Sequence, residues 1–150
     1  MILFLDFDGV LHPQFEGMPT PADQLFCYLS HFETVMRDFP EVQIVISSTW
    51  RYQFSLDQLR AYFSPDIAAR IIGTTPETDL DAYIPERREQ EILAWLGATG
   101  NLDVQWIALD DAAWQFSQNR NCVVACTWYV GLDEGMVTKL RNALEEMQVM

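Results

Sequence analysis

Three apolar runs, each stopped abruptly by hydroxyl or carboxylate side chains, constrain this chain more than any other feature. Ile2 to Leu5 runs into Asp6, Val42 to Ile46 into Ser47-Ser48-Thr49, and Val104 to Leu109 into Asp110-Asp111. Runs apolar on both faces suit central, parallel strands covered by helices. In open sheets of that kind, ligands gather outside the carboxyl ends of the strands. Three strand ends that all carry polar chemistry therefore imply one shared site.

The segments between the runs read as helices and loops. Gly9, Pro13, Gly17 and Pro19 mark a loop. Thr20-Pro21-Ala22-Asp23 then carries helix-start chemistry, which predicts a helix to about Phe39, before Pro40. Ser55-Leu-Asp-Gln58 has the form of a capping box for a helix to about Phe63. Ile71-Ile72 is a weak strand, and residues 73–86 form a Thr/Pro/Asp-rich loop. A helix is predicted from Arg87 to Leu96, ended by Gly97, and a last amphipathic one from Asp133 to about Met147. Cys122 to Ala125 reads as a fifth strand. This alternation predicts an α/β fold: a doubly wound, mostly parallel five-stranded sheet with helices on both faces. With 150 residues and no repeat or linker, the expectation is a single domain over residues 1–150.

Composition narrows the function classes. The chain is 49% hydrophobic and 21% charged, in the globular range. No apolar run approaches the ~20 residues that cross a bilayer, so no membrane partner is expected. The N-terminus reads as a strand, not a signal peptide. Cys27, Cys122 and Cys126 are odd in number and irregularly spaced. In a strand-like run, the last two would sit ~13 Å apart, too far to bridge. Buried free thiols and a cytoplasmic location are expected. With 22 Asp+Glu against 9 Lys+Arg, the net charge is −13, and Lys139 is the sole lysine. That argues against extended nucleic-acid binding, which needs a basic face. Some of the acidity has a use in holding a divalent cation.

The polar strand ends supply that chemistry. Asp6 and Asp8, two apart, project to the same side. One carboxylate can attack phosphorus while the other donates a proton to the leaving oxygen and then takes one from water. Gly9 lets backbone approach a phosphate closely. A turn also favours Asp-Gly, so this motif alone decides nothing. Asp110-Asp111, with Asp6 and the Asp8 carbonyl, offers a hard cation such as Mg²⁺ its oxygens, although one of the pair could instead cap a helix. Ser47 is a candidate phosphate ligand, with Ser48 and Thr49 as rivals. Since Lys139 lies deep in the last helix, the phosphate-site cation must be an arginine, with Arg88 first and Arg87 next. Arg51, just past the serines, is a candidate for gripping substrate. His12 stands where it could line an entrance or bond loop backbone. Trp50 and Trp114 follow strand ends and could wall the pocket, but core packing is the expected role of both.

Taken together, Phe4-Leu-Asp6-Phe-Asp8-Gly9-Val10-Leu11, Ile44-Val-Ile-Ser47-Ser48, Arg88 and Ile107-Ala-Leu-Asp110-Asp111 resemble, in order, the four motifs of the haloacid dehalogenase (HAD) superfamily of phosphohydrolases. Ser47-Ser48-Thr49-Trp50-Arg51, Arg88-x-x-Glu91-Ile92 and Gly131-Leu132 further resemble a compact subgroup related to the phosphatase-like domain of some RNA-repair proteins. The resemblance implies Asp6 as nucleophile and metal ligand. It implies Asp8 as general acid/base, binding metal through its carbonyl, Ser47 and Arg88 as phosphate ligands, and Asp110 as metal ligand, with Mg²⁺ as cofactor. A basic third-motif residue is more often lysine in that superfamily. The gaps between motifs leave no room for a cap domain. An open site admits a bulky phosphorylated substrate or is closed by a neighbouring copy, which leaves oligomerisation and substrate identity open.

Two other classes compete. A binding or regulatory module could keep the fold without turnover, but both aspartates of the first motif are present. A phosphoacceptor receiver domain would want an Asp ending a middle strand and a Lys after the fifth. Here Ser47 ends that strand and no Lys follows Ala125 until Lys139. No Gly-rich nucleotide-binding loop is present.

Overall fold

Alternating apolar runs and amphipathic segments resolve, in a computed structural model describing residues 1–149, into a five-stranded parallel sheet sandwiched by helices. The strands are β1 (Ile2–Leu5), β2 (Gln43–Ile46), β3 (Ile71–Thr74), β4 (Trp106–Asp110) and β5 (Val123–Ala125). They lie in the order β3-β2-β1-β4-β5, and every pairing is parallel. The helices are α1 (Leu29–Asp38), α2 (Leu56–Arg60), α3 (Pro65–Ala68), α4 (Arg87–Ala98) and α5 (Glu134–Gln148).

Alternate side chains of the central strands enter opposite cores, which is why the runs are apolar throughout. Leu3, Leu5, Ile44, Ile46 and Leu109 pack with Phe32, Val35 and Met36 of α1 and Leu140 and Leu144 of α5. Ile2, Phe4, Val45 and Ala108 pack on the other side with Ile92, Trp95 and Leu96 of α4. Fully burying one such large side chain contributes roughly 1.5–3 kcal/mol, so the two layers hold the strand ends in fixed register.

Several boundaries differ from the sequence expectation. The predicted long helix is only α1, and residues 22–28 form turns instead. The Thr20 hydroxyl donates to the Pro13 carbonyl rather than capping (3.3 Å). Phe26 sits in the left-handed region at φ 58°, where its ring packs on Phe7, Trp50 and Tyr62. Tertiary aromatic packing thus overrides a local start signal. The Ser55–Gln58 capping box is present, but α2 ends at Arg60 and a further short helix, α3, begins at Pro65. β3 runs to Thr74, and α4 passes through Gly97 to Ala98. Of the three cysteines, only Cys126 is buried, whereas Cys27 is exposed and Cys122 half-buried.

No helix among the described residues is long and apolar enough to cross a membrane. Asp6 to Leu29 is spanned by turns, and β2 to β3 by a 3-10 turn and two short helices, so no cap domain covers the sheet.

Candidate active site at the carboxyl edge of the sheet

Strand register builds the site. Leu5 pairs with Ile46 on one side and Leu109 on the other, and Ile46 pairs with Thr74. One residue further on, Thr75, Ser47, Asp6 and Asp110 therefore form a single row across four strand ends. Hydrogen bonds from the amides of Thr75, Ser47 and Asp6 to Ile46, Leu5 and Leu109 continue the ladder into that row (3.0, 2.9 and 3.1 Å). Each row member lies two residues beyond one that faces α4. Phe4, Val45 and Ala108 pack there, and a Cβ on Gly73 would meet Trp95 at 3.3 Å. By strand alternation the row faces α4 too.

Arg88, in the first turn of α4, meets it. Its Nη1 donates to Asp110 Oδ2 at 2.8 Å and lies 3.5 Å from Asp6 Oδ1. The other oxygen of Asp110 accepts from the Ala112 amide (2.9 Å), while Asp6 Oδ1 accepts from the Phe7 amide (2.9 Å). Burial opposes the Arg88 charge, but the adjoining Asp110 and Asp6 outweigh it and hold the guanidinium protonated. Asp111, half-buried, completes a cluster in which Asp6, Asp110 and Asp111 each offer an oxygen within 4.8 Å of one another. Burial, then the Asp110 and Asp111 charges, pushes Asp6 well above the usual carboxylate range despite Arg88. Burial and the Asp110 charge push Asp111 up to about 6. One arginine thus under-neutralises three carboxyls. Hard oxygens, few in number and partly open to solvent, are what a small divalent cation such as Mg²⁺ takes while keeping several waters. The residues fit such an ion. Gly9 suits the place beside them, because its φ of 76° strains any other residue and a Cβ there would overlap the Asp111 side chain.

Asp8 lies apart from this cluster. Its carboxylate accepts from Trp50 Nε1 (3.2 and 3.1 Å) and sits 2.8 Å from His12 Nε2. His12 is buried, and its Nδ1 accepts from the Phe26 amide (3.2 Å), which places the neutral ring's proton on Nε2, donating to Asp8. Of the two sequence expectations for His12 the backbone one holds, since Nδ1 bonds the Phe26 amide, whereas the fully buried ring contacts Asp8 instead of lining an entrance. The expectation for Trp50 is corrected in part. It packs on Phe7 and Phe26, yet its indole N–H orients Asp8. Asp8 and Trp50 open onto a cavity of about 410 Å³, lined also by Leu25, Thr49, Gln53 and Phe54. For Trp114 the core role is overturned. This residue is 66% exposed and, with Trp128, flanks a second cavity beside Asp111.

The ambiguous pairs separate by their bonding. The Ser48 hydroxyl accepts from the Trp50 amide and caps the following 3-10 turn, whereas the buried Ser47 hydroxyl has no partner. Arg87 turns away to Thr78, Asp79 and Ala82, leaving Arg88 as the arginine among the carboxylates. Arg51 does not stand where a substrate-gripping residue would. It is buried, Nε donates to Thr75 O, Nη1 to Ser47 O and Ser48 O, and Nη2 to Pro76 O and Glu91 Oε2. All five donors are engaged, because the carbonyls that end two adjacent strands converge on it.

Sequence reasoning offered Asp111 to a cation only as one of a pair with Asp110, the resemblance implying Asp110 alone, and the structure groups both with Asp6; it did not single out Thr75. For Asp111 the neighbouring Asp110 was a signal; for Thr75 there was none without strand register. No curated protein and no solved structure matches the chain. A family model described as "HAD domain in Swiss Army Knife RNA repair proteins" matches residues 2–137. That match spans the first four strands, β5, the arginine of α4 and the carboxylate cluster, and the chain belongs to this family of HAD domains.

Proposed function

We propose that this chain is a Mg²⁺-dependent phosphomonoester hydrolase acting through an aspartyl-phosphate on Asp6. The observation that carries the reading is the row itself: a buried Asp6 between an unpartnered Ser47 hydroxyl and the Arg88–Asp110 pair. An Asp6 oxygen attacks phosphorus, and the bond to the leaving oxygen breaks. Asp8 protonates that oxygen, then takes a proton from the water that releases phosphate. Ser47 and Arg88 bind the phosphoryl oxygens. Asp6, Asp110, the Asp8 carbonyl and Asp111 hold Mg²⁺, which when bound screens the repulsion between carboxylate and phosphate dianion. The cavity beside Asp8 has apolar (Leu25, Trp50, Phe54) and neutral polar (Thr49, Gln53) walls and no cation in its lining, which suits a leaving group without negative charge next to the scissile bond. A narrower reading, a phosphatase of nucleic-acid ends, draws on the family's association with RNA repair and on the exposed Trp114 and Trp128 beside Asp111, which offer stacking surfaces. The net charge of −13 confines it to ends rather than long strands.

The first test is hydrolysis of an aryl monophosphate. Turnover falls about 100-fold or more on chelation and returns with Mg²⁺, in line with loss of a several-kcal/mol electrostatic contribution. Turnover indifferent to Mg²⁺ sinks the reading.

Melting adds an independent check. Carboxyls with raised pKa keep protons that the unfolded chain loses, so their contribution to stability is present at acid pH. It is lost as pH rises through about 6 for Asp111, and the raised Asp6 carboxyl acts in the same direction. Mg²⁺ takes the place of those protons. Its stabilisation is therefore small at pH 5 and grows towards pH 7.5, where 100-fold excess over Kd gives about 2.7 kcal/mol, roughly 5–10 °C. An equal shift at both pH values would place the ion elsewhere.

A further inference from the structure

Two buried side-chain polar atoms among the described residues lack any hydrogen-bond partner, the hydroxyls of Ser47 and Thr75. They are neighbours. Ile46 pairs with Thr74, the Thr75 amide donates to Ile46 O, and Ser47 and Thr75 follow in the same row, on strands that sit ~4.8 Å apart. Both residues are almost fully buried, at 1% exposure. Their carbonyls are held by one group, since Arg51 takes Thr75 O through Nε and Ser47 O through Nη1. Burying a hydroxyl without a partner is costly, and native chains rarely do it twice at adjacent positions. Here the backbone on both sides is pinned, yet both hydroxyls are left over on the α4 side of the sheet, the side of Asp6 and Arg88.

Resting on the phosphohydrolase reading, we infer that Thr75 is a second hydroxyl ligand of the phosphate subsite. Its Oγ1 donates to the bound phosphate beside Ser47, and the row of ligands runs over three strand ends rather than two. The two carbonyl bonds to Arg51 are then positioning bonds, because they set both hydroxyls at one level.

The test compares T75V, T75S and S47A, with inorganic phosphate plus Mg²⁺ as the probe. Phosphate is read as a competitive inhibitor of aryl phosphate hydrolysis and by its effect on melting temperature. Valine keeps the shape of threonine and removes the orphaned hydroxyl. T75V should therefore melt at or above the wild-type temperature while its Ki for phosphate rises about 10-fold or more, the usual effect of losing a hydrogen bond to a charged group. T75S keeps the hydroxyl and should stay within about 3-fold of wild type, well inside that loss. A stable T75V with wild-type Ki, alongside an S47A that weakens phosphate, overturns the assignment of Thr75 and leaves the phosphohydrolase reading standing. A wild type that shows neither inhibition nor a phosphate-dependent melting shift overturns both. Should T75V fail to fold, the T75S and T75A pair decides: weaker phosphate binding in alanine alone supports the assignment, and equal binding in both rejects it.

Discussion

Replacing Asp6 with asparagine abolishes turnover, by about 10⁴-fold or more, and leaves the metal-free fold at least as stable as the wild type. The loss is that of a nucleophile, since an amide oxygen at that position does not form the acyl-phosphate, and knockouts of covalent catalytic groups cost on this order. The stability follows from electrostatics. Asp6 carries a carboxyl that burial and two neighbouring carboxylates push well above its ordinary range, so ionising it at pH 7.5 works against folding. Asparagine has nearly the same shape, still accepts from the Phe7 amide, and leaves Arg88 its 2.8 Å partner on Asp110. D6N should thus melt at or above the wild-type temperature without Mg²⁺ and gain less from the ion. Turnover measured beside melting in both metal conditions checks this. A D6N protein that keeps metal-dependent hydrolysis assigns the nucleophile elsewhere, and one that is inactive because unfolded is recognised by its melt.

What the sequence made legible was whatever depends on local pattern. Apolar runs on both faces announced buried parallel strands, and the carboxylates and serine that stop them announced an edge with chemistry. Asp6, Ser47 and Asp110 were readable for that reason, because each follows its run directly. Ser55–Gln58 was readable as a capping box because both partners lie within one turn. The features missed depend on contacts between distant segments. Thr20 and Pro21 carry a helix start, but Phe26 enters an aromatic cluster with Phe7 and Trp50 and turns the chain there. The partnership of Trp50 with Asp8 spans 42 residues and leaves no local mark. Arg51 is the plainest case. An arginine just past a serine-rich strand end looks available for substrate, and only the folded chain brings the carbonyls of Thr75 and Pro76 and the carboxylate of Glu91 around it.

Substituting methionine for Arg51 should destabilise the protein by about 3–5 kcal/mol, a large share of the roughly 5–15 kcal/mol that holds a domain folded. Two losses combine. Glu91, whose side chain is only 2% exposed, keeps the Thr78 hydroxyl at 2.7 Å but loses its counter-charge, leaving an uncompensated buried carboxylate. The carbonyls of Ser47, Ser48, Thr75 and Pro76 lose their shared donor at the ends of β2 and β3. A second change separates the two. Adding E91L removes the unpaired charge and restores part of the stability, since buried ion pairs exchanged for apolar groups are often near neutral. It does not restore all of it, because the carbonyls of Ser47, Thr75 and Pro76 stay without that donor, while Ser48 O keeps the residue-51 amide. R51K falls between, as one ammonium with three donors cannot replace a planar group that uses five. Denaturant unfolding of the three variants checks the order, and a loss below about 1 kcal/mol in R51M contradicts the clamp, because uncompensated buried charge costs several times that. The same variants decide between the two roles an arginine here could have. A residue that gripped substrate would, on removal, raise KM in a protein of unchanged stability. A clamp acts through the hydroxyl row it positions, so R51M should lose stability first and, in the fraction that remains folded, bind phosphate more weakly because Ser47 is no longer held in place.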